Sequence, residues 1–256
     1  KNGIYKEKLV IPSWVKNVQL VGESAEKTII TYDDHANINK MGTFRTYTVK
    51  VEGNDITFKD LTIENNAASL GQAVALHTEG DRLMFINCRF LGNQDTIYTG
   101  SEGLLFTNCY IEGTTDFIFG PSTALFEYCE LHSKRDSYIT AASTPQSEEF
   151  GYVFKNCKLT AAPGVKKLYL GRPWRPYAAT VFINCEFGNH IRPEGWHNWK
   201  NPENEKTARY AEFGNTGAGA DASGRVAWAK QLTNKEAMKY TPQNIFKESS
   251  NWYPYK

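Results

Sequence analysis

One short pattern recurs five times along this chain and constrains its fold more than any other feature. Each copy begins with Phe, has Cys three positions later, and has an apolar residue two positions after the Cys. The copies start at Phe85, Phe106, Phe126, Phe154 and Phe182, and a sixth copy without the cysteine starts at Phe58. Their cysteines are 20 to 28 residues apart: Cys88, Cys109, Cys129, Cys157 and Cys185. A repeat of this length, without helical periodicity, is typical of a solenoid of stacked strands.

The spacing inside each copy predicts a bend. Phe and Cys both look buried, yet a continuous strand would place residues three apart on opposite faces. The position after Phe is variable and often polar, so we expect it to be exposed. Four copies have Asn before Cys, and Asn tolerates the left-handed conformation of a tight corner. We therefore predict stacked Phe, stacked Cys and an Asn ladder (Asn87, Asn108, Asn156, Asn184) in an all-β fold, a right-handed parallel β-helix.

The alternative all-β fold is an antiparallel sandwich whose strands are similar by coincidence. It explains the strand composition but not five Phe–Cys pairs in one frame. A single β-helix domain over residues 1–256 is expected, because all-β domains of this size are routinely undivided. The chain opens abruptly at Gly3, so we expect its N-terminal coil to be truncated.

The cysteines and the C-terminal part carry further predictions. Stacked rungs hold their Cβ vectors parallel, which suits a disulfide poorly, so we interpret all five cysteines as small buried hydrophobes. They leave the cellular compartment open. From about Asn189 the repeat gives way to a looped tail rich in Gly and aromatic residues, which should pack outside the solenoid and cover one end. A short helix is expected near Asn234 to Lys239, capped by Thr233 or Asn234.

Composition and missing motifs exclude several classes of function. The net charge of +1 argues against nucleic acid as a partner, which usually requires a basic stripe. No run of about eighteen apolar residues indicates a membrane span. The sequence contains no Gly-x-Ser-x-Gly elbow, and its five histidines lack ligand spacing. We therefore expect no metal and no organic cofactor.

Two aspartates occupy the same place in consecutive repeats. Asp95 lies seven residues after Cys88, and Asp116 lies seven after Cys109. On adjacent rungs their backbones would be about 4.8 Å apart. Two carboxylates about 5 Å apart repel by about 3 kcal/mol at an effective dielectric of 20, so one should hold a proton while the other is ionised. A structural turn is the competing interpretation, and Asp136, also seven residues after its Cys, warns that register alone does not decide.

A second candidate element is Leu170-Gly171-Arg172-Pro173-Trp174. Gly before Arg172, with proline fixing the next φ, would hold the guanidinium in a set direction. Arg172 could bind a carboxylate with two hydrogen bonds and keep it ionised. Trp174 offers a flat face for a sugar ring. Taken alone, the pentapeptide is a weak signal, and a structural arginine is the default interpretation.

Four sequence blocks in order, together with Gly3-Ile4-Tyr5-Lys6-Glu7, resemble the signatures of pectin methylesterases. The resemblance runs from Gly3 to at least Trp196. It implies a right-handed parallel β-helix, which agrees with the repeat, and a secreted enzyme, extracellular or periplasmic, that acts on pectin. A monomer is expected. The blocks are Gly71-Gln72-Ala73-Val74-Ala75-Leu76, Gln94-Asp95-Thr96-Ile97-Tyr98, Gly113-Thr114-Thr115-Asp116-Phe117-Ile118-Phe119-Gly120 and Leu170-Gly171-Arg172-Pro173-Trp174.

The resemblance also implies roles for individual residues. Asp116 matches the nucleophile, Asp95 the acid/base, and Arg172 the arginine that holds the nucleophilic carboxylate. Gln72 and Gln94 match the glutamines that stabilise the oxyanion. The residues matched to the sugar groove as substrate-binding are Tyr98, Thr115, Phe119 and Trp174.

Departures from the family pattern and rival functions stay open at this stage. Pro121 stands where a small polar residue is commoner, and the strand and helix that normally precede Gly3 are missing from the sequence. A polysaccharide lyase or glycoside hydrolase could use the same fold. A non-catalytic carbohydrate-binding solenoid would keep the aromatic residues, but has no reason to keep Asp95, Asp116, Gln94 and Arg172 together.

Overall fold

The chain winds through three parallel sheets in strict rotation. The computed structural model describes residues 1–100, 103–247 and 252. From β1 to β22, each strand joins the sheet that the strand three places earlier joined, and every pairing between the described strands is parallel. This is the predicted parallel β-helix, and the parallel pairing rules out the antiparallel sandwich.

The first four coils contain twelve strands. They are β1 (Gly3–Lys6), β2 (Leu9–Ile11), β3 (Lys16–Val21), β4 (Thr28–Tyr32), β5 (Val49–Val51), β6 (Asn54–Lys59), β7 (Thr62–Asn65), β8 (Leu76–Thr78), β9 (Leu83–Ile86), β10 (Arg89–Leu91), β11 (Ile97–Thr99) and β12 (Leu104–Thr107). Two 3-10 helices lie in the loop between β4 and β5, at Ile38–Lys40 and Thr43–Arg45.

The later coils and the tail contain the remaining described elements. The strands are β13 (Tyr110–Gly113), β14 (Ile118–Gly120), β15 (Ala124–Glu127), β16 (Glu130–Ser133), β17 (Tyr138–Ala142), β18 (Tyr152–Lys155), β19 (Lys158–Ala161), β20 (Tyr169–Gly171), β21 (Ala179–Ile183), β22 (Glu186–Phe187), β23 (Arg209–Phe213) and β24 (Lys230–Gln231). The helices are a 3-10 turn (Pro202–Lys206), α1 (Asn234–Ala237) and α2 (Pro242–Ile245). None of the helices in the described part of the chain has the length and apolar composition that a membrane span requires.

The repeated Phe forms a continuous stack through the core. Six rings, from Phe58 to Phe182, lie in register on neighbouring strands of one sheet. Successive ring centroids are 4.5 to 5.3 Å apart, and the ring planes are within 21° of parallel. All five cysteines are free and buried beside this stack. The predicted columns of Phe and of reduced Cys are both confirmed.

The corner between Phe and Cys is left-handed, as predicted. The residue before each Cys has a φ of 50° to 55°, whether it is Asn or Tyr128. Tyr128 interrupts the predicted Asn ladder. A rung-to-rung side-chain bond at this corner joins Asn87 Nδ2 to Asp60 Oδ1 (2.6 Å), in the degenerate first copy. The corner therefore depends more on backbone conformation than on a continuous amide ladder.

The prediction that the residue after each repeated Phe is exposed is wrong. Glu127 and Ile183 are buried, and Ile86, Thr107 and Lys155 are half-buried. The C-terminal tail covers this outer face of the sheet, where Ile245 and Phe246 pack against Leu105, Leu125, Val153, Val181 and Ile183. The tail therefore packs outside the solenoid, as predicted. Its earlier part, including Trp196 and Trp228, packs onto the core.

The predicted tail helix is confirmed in a shorter form. Helix α1 covers Asn234–Ala237, and Thr233 and Glu236 form a reciprocal capping box at its start. Helix α2 follows with Thr241 as its cap and Pro242 in its first turn. Sequence analysis missed α2, although Thr241 followed by Pro242 is a helix start signal of the same kind as the cap that predicted α1.

Phe106→Ala should destabilise the solenoid strongly. Phe106 is fully buried between Phe85 and Phe126, each with a ring centroid 4.6 Å away. Truncation leaves a cavity that the rigid stack cannot close, so the free energy of unfolding in urea should fall by about 3–5 kcal/mol. The matched control is Met238→Ala, which truncates a side chain that is 77% exposed. A loss for Phe106→Ala no larger than for the control would show that the stack contributes little.

Candidate functional site

Asp95 and Asp116 lie in equivalent places on adjacent coils. Each stands two residues before its strand, and Ile97 of β11 pairs with Ile118 of β14. Both aspartates are buried, and both have left-handed backbones, with φ of 66° and 50°. Asp tolerates this conformation better than most residues, although it is still strained. The two carboxyl groups thus lie on neighbouring rungs, as the repeat register predicts.

Asp136 does not join them. Thr140 of β17 pairs with Ile118, so the residue in register with Asp116 is Tyr138 rather than Asp136. Asp136 is exposed and accepts hydrogen bonds from the backbone N–H groups of Lys166 and Lys167, each at 2.7 Å. Asp136 is therefore a turn residue. The strand register distinguishes it from Asp95 and Asp116, whereas counting residues from the cysteine did not.

Arg172 holds Asp116 with two hydrogen bonds. Its Nε donates to Oδ1 at 3.0 Å and its Nη2 donates to Oδ2 at 2.6 Å. The guanidinium also lies between two aromatic rings, 3.9 Å from the centroid of Tyr138 and 3.7 Å from that of Trp199. A bidentate bond together with two cation–π contacts fixes both the direction and the plane of the guanidinium.

Gly171 is required beside Arg172 for a steric reason. A Cβ at this position would lie 2.0 Å from Thr140 Oγ1 on the preceding coil. The Arg172 N–H donates to the Thr140 carbonyl at 2.9 Å, which continues the ladder up to the arginine. The glycine therefore allows β20 to lie close enough to β17 for Arg172 to reach Asp116.

The two carboxyl groups differ in their electrostatic surroundings. Burial raises the pKa of Asp95 well above its ordinary value, the charge of Asp116 raises it further, and Arg172 opposes both effects. Burial also raises the pKa of Asp116, but here the hydrogen bond and the charge of Arg172 oppose the rise. Desolvation is thus the main cause, whereas the sequence interpretation attributed the raised pKa of Asp95 to repulsion alone.

The carboxyl pair opens into a cleft of about 230 Å³. Gln72, Gln94 and Trp174 lie along it with the carboxyl pair and the arginine. Of the four residues matched to the sugar groove, Tyr98 and Thr115 are not among the lining residues. The Thr115 hydroxyl bonds Ser137 Oγ at 2.7 Å, and its carbonyl accepts the Asp95 N–H. The lining residues are Thr43, Phe44, Gln72, Gln94, Asp95, Asp116, Phe119, Ala141, Arg172, Trp174 and Trp199.

Aromatic rings form a continuous row on this face. The ring centroids of Phe44 and Tyr98 are 4.9 Å apart, those of Tyr98 and Phe119 are 5.1 Å apart, and those of Phe119 and Trp174 are 5.9 Å apart. Tyr98 and Phe119 pair across β11 and β14, so they point the same way on adjacent coils. The row provides an apolar surface beside the carboxyl pair.

Sequence analysis missed the lining residues Thr43 and Ala141 and three aromatic residues of the site. Phe44 comes from the loop between β4 and β5, and Trp199 from the tail, so no repeat register relates either of them to the carboxylates. Tyr138 is in register with Asp116, and aligning the strands instead of counting from Cys129 would have found it. Among the described residues, no group of three or more His, Cys, Asp or Glu side chains could hold a metal ion.

Solved structures with the same fold match this chain over nearly its whole length. Pectin methylesterase from carrot matches with a TM-score of 0.92 and 33% identity, over 100% of this chain and 86% of that one. Pectin methylesterase PemA from Erwinia chrysanthemi matches with a TM-score of 0.84 and 29% identity, over 99% and 87%. A pectin methylesterase solved in complex with a hexasaccharide matches with a TM-score of 0.85 and 29% identity, over 100% and 88%.

Sequence relatives agree with the structural ones. Pectinesterase 31 of Arabidopsis thaliana is 41% identical over 92% of this chain and 78% of its own length. Probable pectinesterase/pectinesterase inhibitor 64 of the same plant is 37% identical over 98% of this chain, which spans only 45% of that relative. The family model described as Pectinesterase matches residues 1–249. The chain therefore belongs to the pectinesterase family.

Proposed function

We propose that this chain hydrolyses the methyl esters of galacturonate units in pectin, releasing methanol and leaving the de-esterified polymer. The observation that carries the proposal is the ion pair of Arg172 with Asp116, adjacent to a second buried carboxyl group, Asp95, whose pKa is raised further. Relatives named for pectin methylesterase activity, one of them in complex with a hexasaccharide, support the substrate class.

In the first step, an Asp116 carboxylate oxygen attacks the ester carbonyl carbon. Negative charge develops on the carbonyl oxygen, where the side-chain N–H groups of Gln72 and Gln94 stabilise it. Collapse of the tetrahedral intermediate breaks the bond to the methoxy oxygen. Asp95, which holds a proton, donates it to that oxygen, so methanol leaves and an anhydride joins Asp116 to the galacturonyl group.

In the second step, Asp95 acts as a base. Its carboxylate takes a proton from water, and the resulting hydroxide oxygen attacks the galacturonyl carbon of the anhydride. The bond to Asp116 breaks, which returns its carboxylate to Arg172 and releases the free acid of the sugar. Asp95 is then protonated again for the next cycle. The unequal rise of the two pKa values suits this division of roles.

The aromatic row is the proposed sugar-binding surface. Tyr98, Phe119 and Trp174 would pack against successive sugar rings, and Thr115 would support the backbone beneath Asp95. A polymer enters sideways, so an open cleft suits it. Because pectin is an extracellular polymer, we also propose that the protein is secreted. That it is a monomer with a single domain remains a prediction.

Asp116→Asn should abolish methanol release from methylated pectin. The amide cannot attack the ester, so kcat should fall by on the order of 10⁴-fold or more, while binding of oligogalacturonide stays nearly intact. Rapid quench and mass spectrometry of the wild-type protein should detect the acyl-enzyme. The matched control is Asp136→Asn, which alters an exposed aspartate outside the cleft and should keep full activity.

Substantial activity in Asp116→Asn would refute the assignment of the nucleophile. A lyase or glycoside hydrolase would instead shorten the polymer, so chain length is measured in the same reaction. Shortening without methanol release would replace the esterase with one of these chemistries.

Asp95→Asn should make thermal stability less dependent on pH. The raised pKa of Asp95 means that the folded protein binds this proton more tightly than the unfolded chain does. Its stabilising contribution is full below the unfolded pKa of about 3.9 and is lost as pH rises through the higher folded pKa. Asparagine cannot ionise, so the Tm of the variant relative to wild type should be higher at pH 7 than at pH 4. An equal Tm difference at both pH values would contradict the raised pKa.

Trp174→Ala should chiefly weaken binding of oligogalacturonide. Loss of a desolvated aromatic contact should reduce the binding free energy by on the order of 1–3 kcal/mol, measured by titration calorimetry. Trp14→Ala is the control, because Trp14 is 80% exposed on the first coils, away from the cleft. Unchanged affinity in Trp174→Ala would place Trp174 in the scaffold.

A further inference from the structure

Two consecutive residues near Arg172 have left-handed backbones. Trp199 has a φ of 61° and Lys200 a φ of 57°, a conformation that costs energy for residues other than glycine. Side chains two residues earlier hold both of them. Asn198 Oδ1 accepts the Lys200 N–H at 2.9 Å, and His197 Nδ1 accepts the Trp199 N–H at 3.0 Å. The imidazole thus takes the part that an Asn side chain takes in an Asx turn.

This turn places one of the two rings that enclose the arginine. The Trp199 ring centroid is 3.7 Å from Arg172 Cζ, and that of Tyr138 is 3.9 Å from it. The His197 ring also contacts the Tyr138 ring, with centroids 5.4 Å apart. His197 therefore touches both sides of the enclosure, through a hydrogen bond on one side and a ring contact on the other.

The backbone of His197 is itself firmly anchored. Its N–H donates to the Gly171 carbonyl at 3.1 Å, directly before Arg172 in the chain. The neighbouring Trp196 is buried, and its Nε1 donates to Glu212 Oε1 at 3.1 Å. Glu212 in turn forms a buried ion pair with Arg225 at 2.8 Å. Because the His197 backbone is held in place, the hydrogen bond from the Trp199 N–H to the His197 imidazole can determine where the Trp199 indole lies.

We propose that His197 is a positioning residue for the reaction: its neutral imidazole holds the Trp199 turn and thereby fixes Arg172 against Asp116. It does not touch the reacting atoms. The proposal rests on the function proposed above. Because Nδ1 accepts a hydrogen bond, it must carry no proton, and any proton on the neutral ring is on Nε2.

The charged groups around His197 favour this neutral form. Burial lowers the pKa of His197, and the positive charges of Arg172, Lys200 and Arg192 lower it further. The rings of Tyr138 and Tyr169 flank it, with centroids 5.4 and 5.2 Å away. The imidazole therefore stays neutral down to a pH below its ordinary pKa. Protonation below that point would turn Nδ1 into a donor facing the Trp199 N–H, which would break the bond.

The test compares His197→Ala with His197→Asn. Asparagine can accept the Trp199 N–H in an Asx turn but cannot titrate, whereas alanine offers no acceptor. Two quantities are measured: kcat and KM for methanol release, and the indole N–H resonance of Trp199, assigned through Trp199→Phe. We expect His197→Ala to lower kcat by on the order of 10–100-fold, with a shifted indole resonance. His197→Asn should resemble wild type in both.

The NMR measurement separates this proposal from the proposed function, because it needs no esterase activity. In wild type the indole resonance should shift as His197 protonates at acidic pH, and in His197→Asn this shift should be absent. If His197→Ala does not fold, the proposal is tested by this pH titration of wild type and His197→Asn alone. Wild-type kcat in His197→Ala, equal impairment of both variants, or an indole resonance that titrates identically in wild type and His197→Asn would overturn the proposal.

Discussion

The in-register pairing of parallel strands is the constraint on which the rest of the structure depends. Each coil repeats the backbone path of the one before it, so equivalent side chains lie about 4.8 Å apart on adjacent rungs. In the core this spacing suits flat rings, and the Phe stack follows. On the outer face the same spacing brings Asp95 and Asp116 together. One geometric rule therefore creates both the stable core and the electrostatic conflict of the site.

Arg172 relieves that conflict for Asp116 by direct hydrogen bonds, but not for Asp95. Both carboxyl groups are buried, which favours their neutral forms. Arg172 binds Asp116 with two hydrogen bonds, and no such bond joins it to Asp95 among those of the described residues. The asymmetry makes two chemically identical side chains unequal. Buried charge and left-handed backbones at the site lower stability locally, and the stacked core beneath offsets this loss.

The sequence predicted whatever the repeat register determines and failed where the register ends. Counting residues within each copy of the repeat predicts the columns of Phe and Cys, the left-handed corners and the adjacent aspartates. Asp136 misleads because the copy that begins at Phe126 is longer than the two before it, so that Tyr138 takes the equivalent place. Phe44 and Trp199 come from segments outside the repeat, whose positions depend on tertiary packing. For the same reason the tail buries Ile183, which the local pattern predicted to be exposed.

The segment that closes the C-terminal end of the solenoid also contributes to the site. The segment that covers the last coils adds a rung beside β20, where Trp196 pairs with Gly171. The Trp196 indole N–H donates to Glu212, which also forms a buried ion pair with Arg225. Moving the segment would break this buried hydrogen bond, which is costly inside the protein. The segment thus has few alternative positions. Because it also carries Trp199 to Arg172, the packing that closes the core at this end determines how firmly the arginine is held.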